Sequence, residues 1–168
     1  MHQVRKQDHP SDDVSNEYVN WFLSQEVIRY SDNQYRKFSI ESQKHYVTSC
    51  FNDENIALYG IFDDKKHIGN ICLTGLKSFH FNAEISYLIG DLSYWGKGVA
   101  TLAVGSIIEH ARNRYNLNRL SAGVSSKNIA SQKVLINSNF LLEGIRKKHL
   151  YFNNEWQDQH LYGLLLKD

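Results

Sequence analysis

The residues with the clearest capacity for chemistry form one short loop, residues 94–100, which read Tyr-Trp-Gly-Lys-Gly-Val-Ala. The loop separates a strand-like run over 81–90 from a helix-like run over 99–115. Gly96 and Gly98 allow positive φ angles and let a ligand come close to the main chain. The free N–H groups and the positive dipole end of the next helix then face that ligand. Because phosphates are the usual ligands in such places, the loop predicts a site for a phosphate or a pyrophosphate.

Two well-known nucleotide-binding patterns are absent from this loop. The phosphate loop of nucleotide hydrolases requires Gly, four residues and then Gly-Lys-Ser/Thr, which does not occur here. The dinucleotide pattern Gly-x-Gly-x-x-Gly fails because Thr101 holds its last position. What remains is Trp95-x-x-Gly98-x-Ala100, in which main-chain donors, helped by Lys97, are expected to do most of the phosphate binding.

Composition indicates one globular domain. The chain has 168 residues, of which 42% are hydrophobic and 22% charged, and this length allows a sizeable core. The formal net charge of +1 gives no global attraction to nucleic acid or to an acidic membrane. Cys50 and Cys72 stand far apart, so we expect buried, reduced thiols in a cytoplasmic protein and no structural zinc. A polar leader over 1–14, expected to be loosely held, precedes a single domain over 15–168.

Hydrophobic periodicity predicts an alternation of helices and strands. The predicted order is helices over 15–25 and 39–51, strands over 56–62, 67–76 and 81–90, a helix over 99–115, a strand over 118–124, a helix over 128–137, and strands over 140–151 and 156–166. A strand, a crossover helix and a strand imply parallel pairing, whereas the hairpins imply antiparallel pairing. A mixed, twisted sheet with helices on both faces satisfies both requirements. Gly105 inside the long helix suggests close packing there.

Four segments between Ala83 and Tyr162 together resemble the GNAT N-acetyltransferases, in particular the branch that acetylates ribosomal-protein N-termini and amino sugars. The segments are 83–89, similar to the family's fourth strand, which pairs with the pantetheine arm; the glycine loop, similar to Gln/Arg-x-x-Gly-x-Gly/Ala; 125–131, similar to the Asn-x-x-Ser/Ala entry to a helix; and 140–162, similar to the closing hairpin. The resemblance implies a mixed α/β sheet that is splayed between its fourth and fifth strands.

The resemblance also implies a reaction and its partners. The reaction is direct transfer of an acetyl group from acetyl-CoA to a primary amine, on a ribosomal-protein N-terminus or on a nucleotide-linked amino sugar. We expect no metal, no nucleic acid and no membrane partner, and a monomer or a homodimer. An alternative on the same scaffold is a non-catalytic acyl-CoA-binding or regulatory module, because a fold does not determine a function.

Cofactor-binding residues carried over from the family motifs lie in the strand, the loop and the later helix. They are Leu88, Ile89, Trp95, Gly96, Lys97, Gly98, Val99, Ala100, Thr101, Asn128 and Ser131. The N–H group near Leu88 is the expected donor to the thioester carbonyl. Asn128 also suits a helix cap by residue type, and Trp95 also suits packing between surface and core.

The expected catalytic residues are Glu84, Ser131 and Tyr87. Glu84 is the candidate base that takes a proton from the amine, and its alternative role is that of a solvent-facing glutamate. Many family members carry a tyrosine acid where this chain has Leu135, which has no hydroxyl. Ser131 acting through water and Tyr87 are the two possible replacements, and the sequence leaves both open.

The acceptor is expected to meet the polar and aromatic segment over 29–37. Tyr30, Tyr35 and Arg36 are the candidate substrate-binding residues in this segment. A solvated connector is the alternative interpretation.

Overall fold

The structure is a computed structural model that describes residues 2–6 and 14–167. The described residues form seven strands, β1 (His2–Lys6), β2 (Ile56–Asp63), β3 (Lys66–Thr74), β4 (Asn82–Ile89), β5 (Arg119–Ser125), β6 (Leu141–Phe152) and β7 (Glu155–Leu165). They also form five α-helices, α1 (Asn16–Leu23), α2 (Gln25–Ile28), α3 (Ile40–Asn52), α4 (Val99–Asn113) and α5 (Ile129–Asn137). Short 3-10 helices cover Asp32–Tyr35 and Leu92–Tyr94.

The strands form one mixed sheet in the order β1-β2-β3-β4-β5-β7-β6. All neighbours are antiparallel except β4 and β5, which run parallel and pair only from Asn82 to Glu84 with Arg119 to Ser121. Beyond these three pairs the two strands diverge and leave a wedge between them. The expectation of a mixed sheet that is splayed between the fourth and fifth strands is therefore confirmed.

The strand β1 is absent from the sequence prediction. It pairs antiparallel with the edge of β2, and Val4 lies opposite Ile61 and packs against the core. Because main-chain hydrogen bonds hold this short polar segment in the sheet, its sequence shows no hydrophobic periodicity from which a strand could be predicted. Residues 7–13, with Pro10 and most of the remaining leader, lie outside the described residues.

The two faces of the sheet carry separate cores. Helices α4 and α5 cover one face, where Ile107, Leu120 and Leu135 are fully buried. Helices α1 to α3 cover the other face, where Tyr18 and Val47 pack over β2 and β3. Each large apolar side chain that becomes fully buried contributes about 1.5–3 kcal/mol. The helices therefore hold the sheet in place from both faces, and with it the two strands that border the wedge.

The outer strand β6 is exposed along most of its length, and its register with β7 breaks twice. The second break lies between Arg146 and Leu150, where Lys148 has a φ of 49°. The amide of Lys148 donates to Asp158 Oδ1 at 2.9 Å. The break therefore replaces part of the main-chain ladder with a side-chain contact.

The structure bears on three further features: the state of the cysteines, membrane-spanning helices and groups of side chains that could hold a metal ion. Cys50 and Cys72 are both free and buried, as expected. No helix in the described residues has the length and hydropathy needed to cross a bilayer. Within the same residues, no group of three or more His, Cys, Asp or Glu side chains is arranged to hold a metal ion.

Replacing either of two glycines with alanine is expected to change the stability of the protein, in opposite directions. The expectation of close packing at Gly105 is wrong, because an added Cβ would meet no atom within 4 Å. Replacing Gly105 with alanine is therefore expected to raise the free energy of unfolding by about 1 kcal/mol. At Gly90, an added Cβ would clash with the ring of Trp21, and Gly90→Ala is expected to cost about 1–3 kcal/mol. Urea unfolding measures both, and destabilisation by Gly105→Ala would contradict the reasoning.

Candidate active site

The main chain of β4 presents free groups to the wedge. Gly90 N–H donates to the Ile68 carbonyl on β3 at 2.9 Å, and Ser121 Oγ on β5 contacts the Ala83 carbonyl at 3.5 Å. Because backbone groups alternate in direction along a strand, Ile85 and Tyr87 direct their N–H and C=O groups into the wedge. The wedge therefore offers an unpaired strand edge to an amide-rich ligand.

The same alternation corrects one detail of the sequence prediction. Leu88 lies opposite Asn70 in β3 and two residues before Gly90, whose N–H donates to β3, so the N–H group of Leu88 also faces β3 and is not available to a thioester carbonyl. The N–H group of Tyr87, one residue earlier, has the required direction. Sequence alone predicts the strand but not which edge of it remains unpaired.

The glycine loop has the geometry of an anion site. Gly96 and Gly98 have φ angles of 72° and 76°, which side-chain-bearing residues rarely adopt. Gly98 is the N-cap of α4 and provides no side-chain cap, and no acidic residue lies in the first turn. The first N–H groups of α4, at Val99, Ala100 and Thr101, are thus left for a ligand.

Side chains around the loop hold it in place. Asp91 caps the 3-10 helix Leu92–Tyr94 by accepting from Ser93 N–H at 2.9 Å. Asp91 also pairs with Lys66 at 2.8 Å, and the contacts with Lys66 and then Ser93 lower the pKa of Asp91 to about 2. The Lys97 ammonium lies 5.6 Å from the centroid of the Tyr94 ring, beside the loop. The loop is therefore braced before any ligand binds.

Trp95 and Ile89 contact each other within this region. The indole N–H of Trp95 donates to the carbonyl of Ile89 at 2.9 Å, and its ring packs against the α1–α3 core. The packing role of Trp95 is thus confirmed. Its contact with a cofactor, like that of Ile89, stays a prediction.

Two hydroxyl groups that are distant in sequence meet on the α5 side of the wedge. Tyr87 Oη lies 2.8 Å from Ser131 Oγ and 3.1 Å from the Ser131 carbonyl. Asn128 caps α5 by accepting from Ser131 N–H at 3.1 Å, which confirms its capping role and fixes the serine. Burial raises the pKa of Tyr87 to about 12, so its hydroxyl stays protonated at neutral pH. The expected tyrosine position, Leu135, faces the core and is fully buried.

A cavity of about 400 Å³ opens on the opposite face of β4. It is lined along β4 by Ser86, Tyr87 and Leu88, which also border the wedge. Its wall on the helical side includes aromatic rings, and its mouth carries Arg36. A volume of this size suits a small ligand or the end of a larger one.

Most of the remaining predicted acceptor and base residues do not line this cavity. Glu84 is exposed, on the same face of β4 as Ser86, but outside the cavity lining. Of the three predicted substrate-binding residues, Arg36 lines the cavity and Tyr30 and Tyr35 do not. The guanidinium of Arg29 stacks 5.1 Å from the centroid of the Tyr30 ring.

Tyr35 joins the segment before the cavity mouth to the closing hairpin. Its hydroxyl donates to the Tyr151 carbonyl, and its ring stacks on Phe152 with centroids 6.4 Å apart. At the hairpin tip, Asn153 Nδ2 donates to the Arg29 carbonyl at 3.0 Å. Tyr35 is therefore placed to support the mouth.

Most cavity residues lie outside the predicted acceptor segment 29–37, and Gln43 and Asn70 are two of them. Asn70 was detectable as a polar residue within an otherwise apolar strand, and it is only 9% exposed. Gln43 gave no such signal, because a glutamine in the first turn of a helix is usually solvated.

Known proteins are similar to this chain in sequence and in architecture. The family model described as an acetyltransferase (GNAT) domain matches residues 8–140. The probable N-acetyltransferase YjcK of Bacillus subtilis (strain 168) is 29% identical over 162 residues, which cover 92% of this chain and 86% of that protein. The ribosomal-protein-S5-alanine acetyltransferase of Vibrio fischeri is 26% identical, with a TM-score of 0.83 over 99% of this chain and 94% of that one.

A further solved structure shows the same fold at lower identity. It is the spermidine N-acetyltransferase of Vibrio cholerae in complex with CoA and spermine, with 18% identity and a TM-score of 0.85 over 98% of this chain and 95% of that one. The glycine loop, the wedge and the family match thus agree with one another. With most of its length matched by the family model, the chain belongs to the GNAT family and is an acetyl-CoA-dependent acyltransferase.

Proposed function

We propose that this protein transfers an acetyl group directly from acetyl-CoA to a primary amine bound in the 400 Å³ cavity. The observation that carries the proposal is that Ser86, Tyr87 and Leu88 border both the wedge and the cavity. An acyl donor in the wedge and an amine in the cavity would therefore meet at one strand, without an intermediate carried by the protein.

The residues of the wedge and loop fit coenzyme A. Acetyl-CoA supplies the acetyl group as a thioester. The uncapped N-terminus of α4 and the main-chain N–H groups from Gly96 to Thr101 suit its diphosphate, whereas the N–H of Trp95 donates to the Leu92 carbonyl. The free edge of β4 suits the amides of its pantetheine arm by strand addition. Asn128 and Ser131 begin the helix beside the end of that edge.

In the transfer, a C–N bond forms at the acetyl carbon and its C–S bond breaks. The amine must lose a proton, and Glu84 takes it through water in this proposal. The departing sulfur must gain a proton, which Ser131 Oγ relays from solvent. The N–H group of Tyr87 faces the wedge and serves as the donor to the carbonyl oxygen. One proton leaves nitrogen and one reaches sulfur, so the reaction balances.

The contact between Tyr87 and Ser131 assigns different tasks to the two hydroxyls. Tyr87 has one proton and two acceptors on Ser131, the carbonyl and Oγ. When Tyr87 donates to Oγ, the proton of Ser131 is free to point at the sulfur. With a pKa raised to about 12, Tyr87 is suited to orienting the serine and ill suited to giving its proton away. Ser131 is therefore the proposed catalytic hydroxyl and Tyr87 the positioning residue.

The test is to incubate the protein with acetyl-CoA and a panel of primary amines and to follow release of free thiol. Calorimetry with coenzyme A runs in parallel. Thiol release that depends on the amine supports the proposal. Binding of coenzyme A without turnover across the panel would favour a non-catalytic module, and absence of both would overturn the site.

A further inference from the structure

The charged side chains that line the cavity all carry the same sign. They are Arg36 and Lys37, both exposed at the mouth, and no carboxylate among the described residues lines the cavity. Neither cation forms an ion pair with another described residue. The mouth therefore attracts an anionic group and repels a polycation.

The segment that carries these cations is held by neighbours on both sides. The amide of Arg36 donates to the Asn33 carbonyl at 3.1 Å and ends the 3-10 helix Asp32–Tyr35. The hydroxyl of Tyr35 is bonded to the main chain of the closing hairpin. A backbone held in this way loses less freedom when a ligand binds, which favours affinity.

The inner part of the cavity is uncharged and combines a few polar groups with apolar surface. Gln43 is 4% exposed and lines the cavity, and its Oε1 has no hydrogen-bond donor among the described residues. A buried acceptor without a donor costs free energy, so a ligand hydroxyl or N–H group that reaches it would be favoured. Ser42 and Ser86 add hydroxyls, and the rings of Tyr18 and Phe38 add apolar surface. Such a lining suits a hydroxylated ring.

We propose that the acceptor is a compact, hydroxylated amine that bears a phosphate group, as in a phosphorylated or nucleotide-linked amino sugar. Arg36 and Lys37 hold the phosphate at the mouth, and Gln43 accepts a hydrogen bond from the sugar. The inference rests on the proposed acetyl transfer and names its substrate class. A polyamine acceptor is disfavoured because its other ammonium groups would face two cations and no carboxylate of the described part of the chain.

The experiment compares four acceptors at equal acetyl-CoA: glucosamine, glucosamine 6-phosphate, a peptide with an N-terminal alanine, and spermine. The value of kcat/KM for the phosphorylated sugar is expected to exceed that for glucosamine by about tenfold, from one or two charge-assisted hydrogen bonds. The ratio is expected to shrink as ionic strength rises, because both cations are exposed.

Variants separate the charge from the rest of the cavity. Arg36→Gln is expected to lower the preference for the phosphorylated sugar by about threefold, because Lys37 keeps its share of the tenfold effect, and Arg36→Lys is expected to restore most of the loss. The matched control is Lys44→Gln, which removes an exposed cation on α3 outside the cavity lining. A control that loses the preference equally would overturn the assignment of the phosphate to the mouth.

The remaining outcomes of these experiments distinguish failure of the acceptor class from failure of the proposed function. Equal kcat/KM for the two sugars, or turnover of the peptide or spermine alone, would overturn the acceptor class and leave acetyl transfer in place. If coenzyme A binds but no amine reacts, calorimetry of the two sugars with the coenzyme A complex decides. Tenfold tighter binding of the phosphorylated sugar supports the class, and equal binding or none overturns it. Failure of coenzyme A to bind would overturn the proposed function itself.

Discussion

Replacing Ala100 with aspartate is expected to weaken binding of coenzyme A by more than about 100-fold while the protein stays folded. Ala100 lies in the first turn of α4, where we place the diphosphate. A unit charge about 5 Å from one phosphate charge costs about 3 kcal/mol at an effective dielectric constant of about 20, which exceeds 100-fold in Kd. The same carboxylate favours the positive end of the helix dipole, so stability is expected to hold or to rise by up to about 1 kcal/mol.

Calorimetry with coenzyme A and thermal unfolding of the free protein measure the two effects of Ala100→Asp separately. The matched control is Ser106→Asp, which adds the same charge to an exposed position of α4 about 9 Å further along the helix. We expect this control to bind coenzyme A within a few-fold of the unmodified protein. Unchanged affinity in Ala100→Asp would place the diphosphate elsewhere.

Replacing Ser131 with alanine is expected to lower kcat by about 100-fold, the lower end of the usual range for a proton-transfer contribution. Tyr87→Phe is expected to lower kcat by about tenfold, because it removes the hydrogen bond that orients Ser131 and keeps the ring. Steady-state kinetics with the best acceptor measures both, and Kd for coenzyme A is expected to change much less than kcat. Ser131→Thr keeps a hydroxyl and is expected to recover part of the loss.

The pH dependence of these variants separates orientation from proton donation. Since the pKa of Tyr87 is raised to about 12, the folded protein keeps this hydroxyl neutral up to about pH 10. The ratio of kcat between the unmodified protein and Tyr87→Phe is therefore expected to stay constant from about pH 7 to about pH 10. The control is Tyr115→Phe, which removes a hydroxyl bonded to Tyr59 away from the wedge. A ratio that falls with a midpoint in this range would make Tyr87 the acid.

Local sequence patterns were sufficient for the elements that border the donor site. Alternation over 81–90 and the helical period over 99–115 place β4 and α4 correctly, since each signal depends on burial of one face of one element. The glycine loop followed from residue types alone. The direction of the main chain at Leu88 and Tyr87 did not, because it depends on which neighbour each edge of β4 meets.

The acceptor cavity was harder to predict because its parts are far apart in the chain. It joins Tyr18 in α1, Gln43 in α3, Asn70 in β3 and Ser86 in β4. No local period links these positions, and their approach depends on how α1 to α3 pack on the sheet. The contact of Tyr87 with Ser131, separated by 44 residues, also forms only through packing of α5 beside the wedge.

The irregular strand β6 has a consequence for solubility at high concentration. β6 is an edge strand of the sheet. A long and regular edge strand can pair with a strand of another molecule. Here the register break and the run of Arg146, Lys147 and Lys148 lie near the middle of that edge. A second copy would have to match the distortion and approach three basic side chains, of which Lys147 is paired with Asp158. The basic run therefore protects the sheet from intermolecular strand pairing and aggregation.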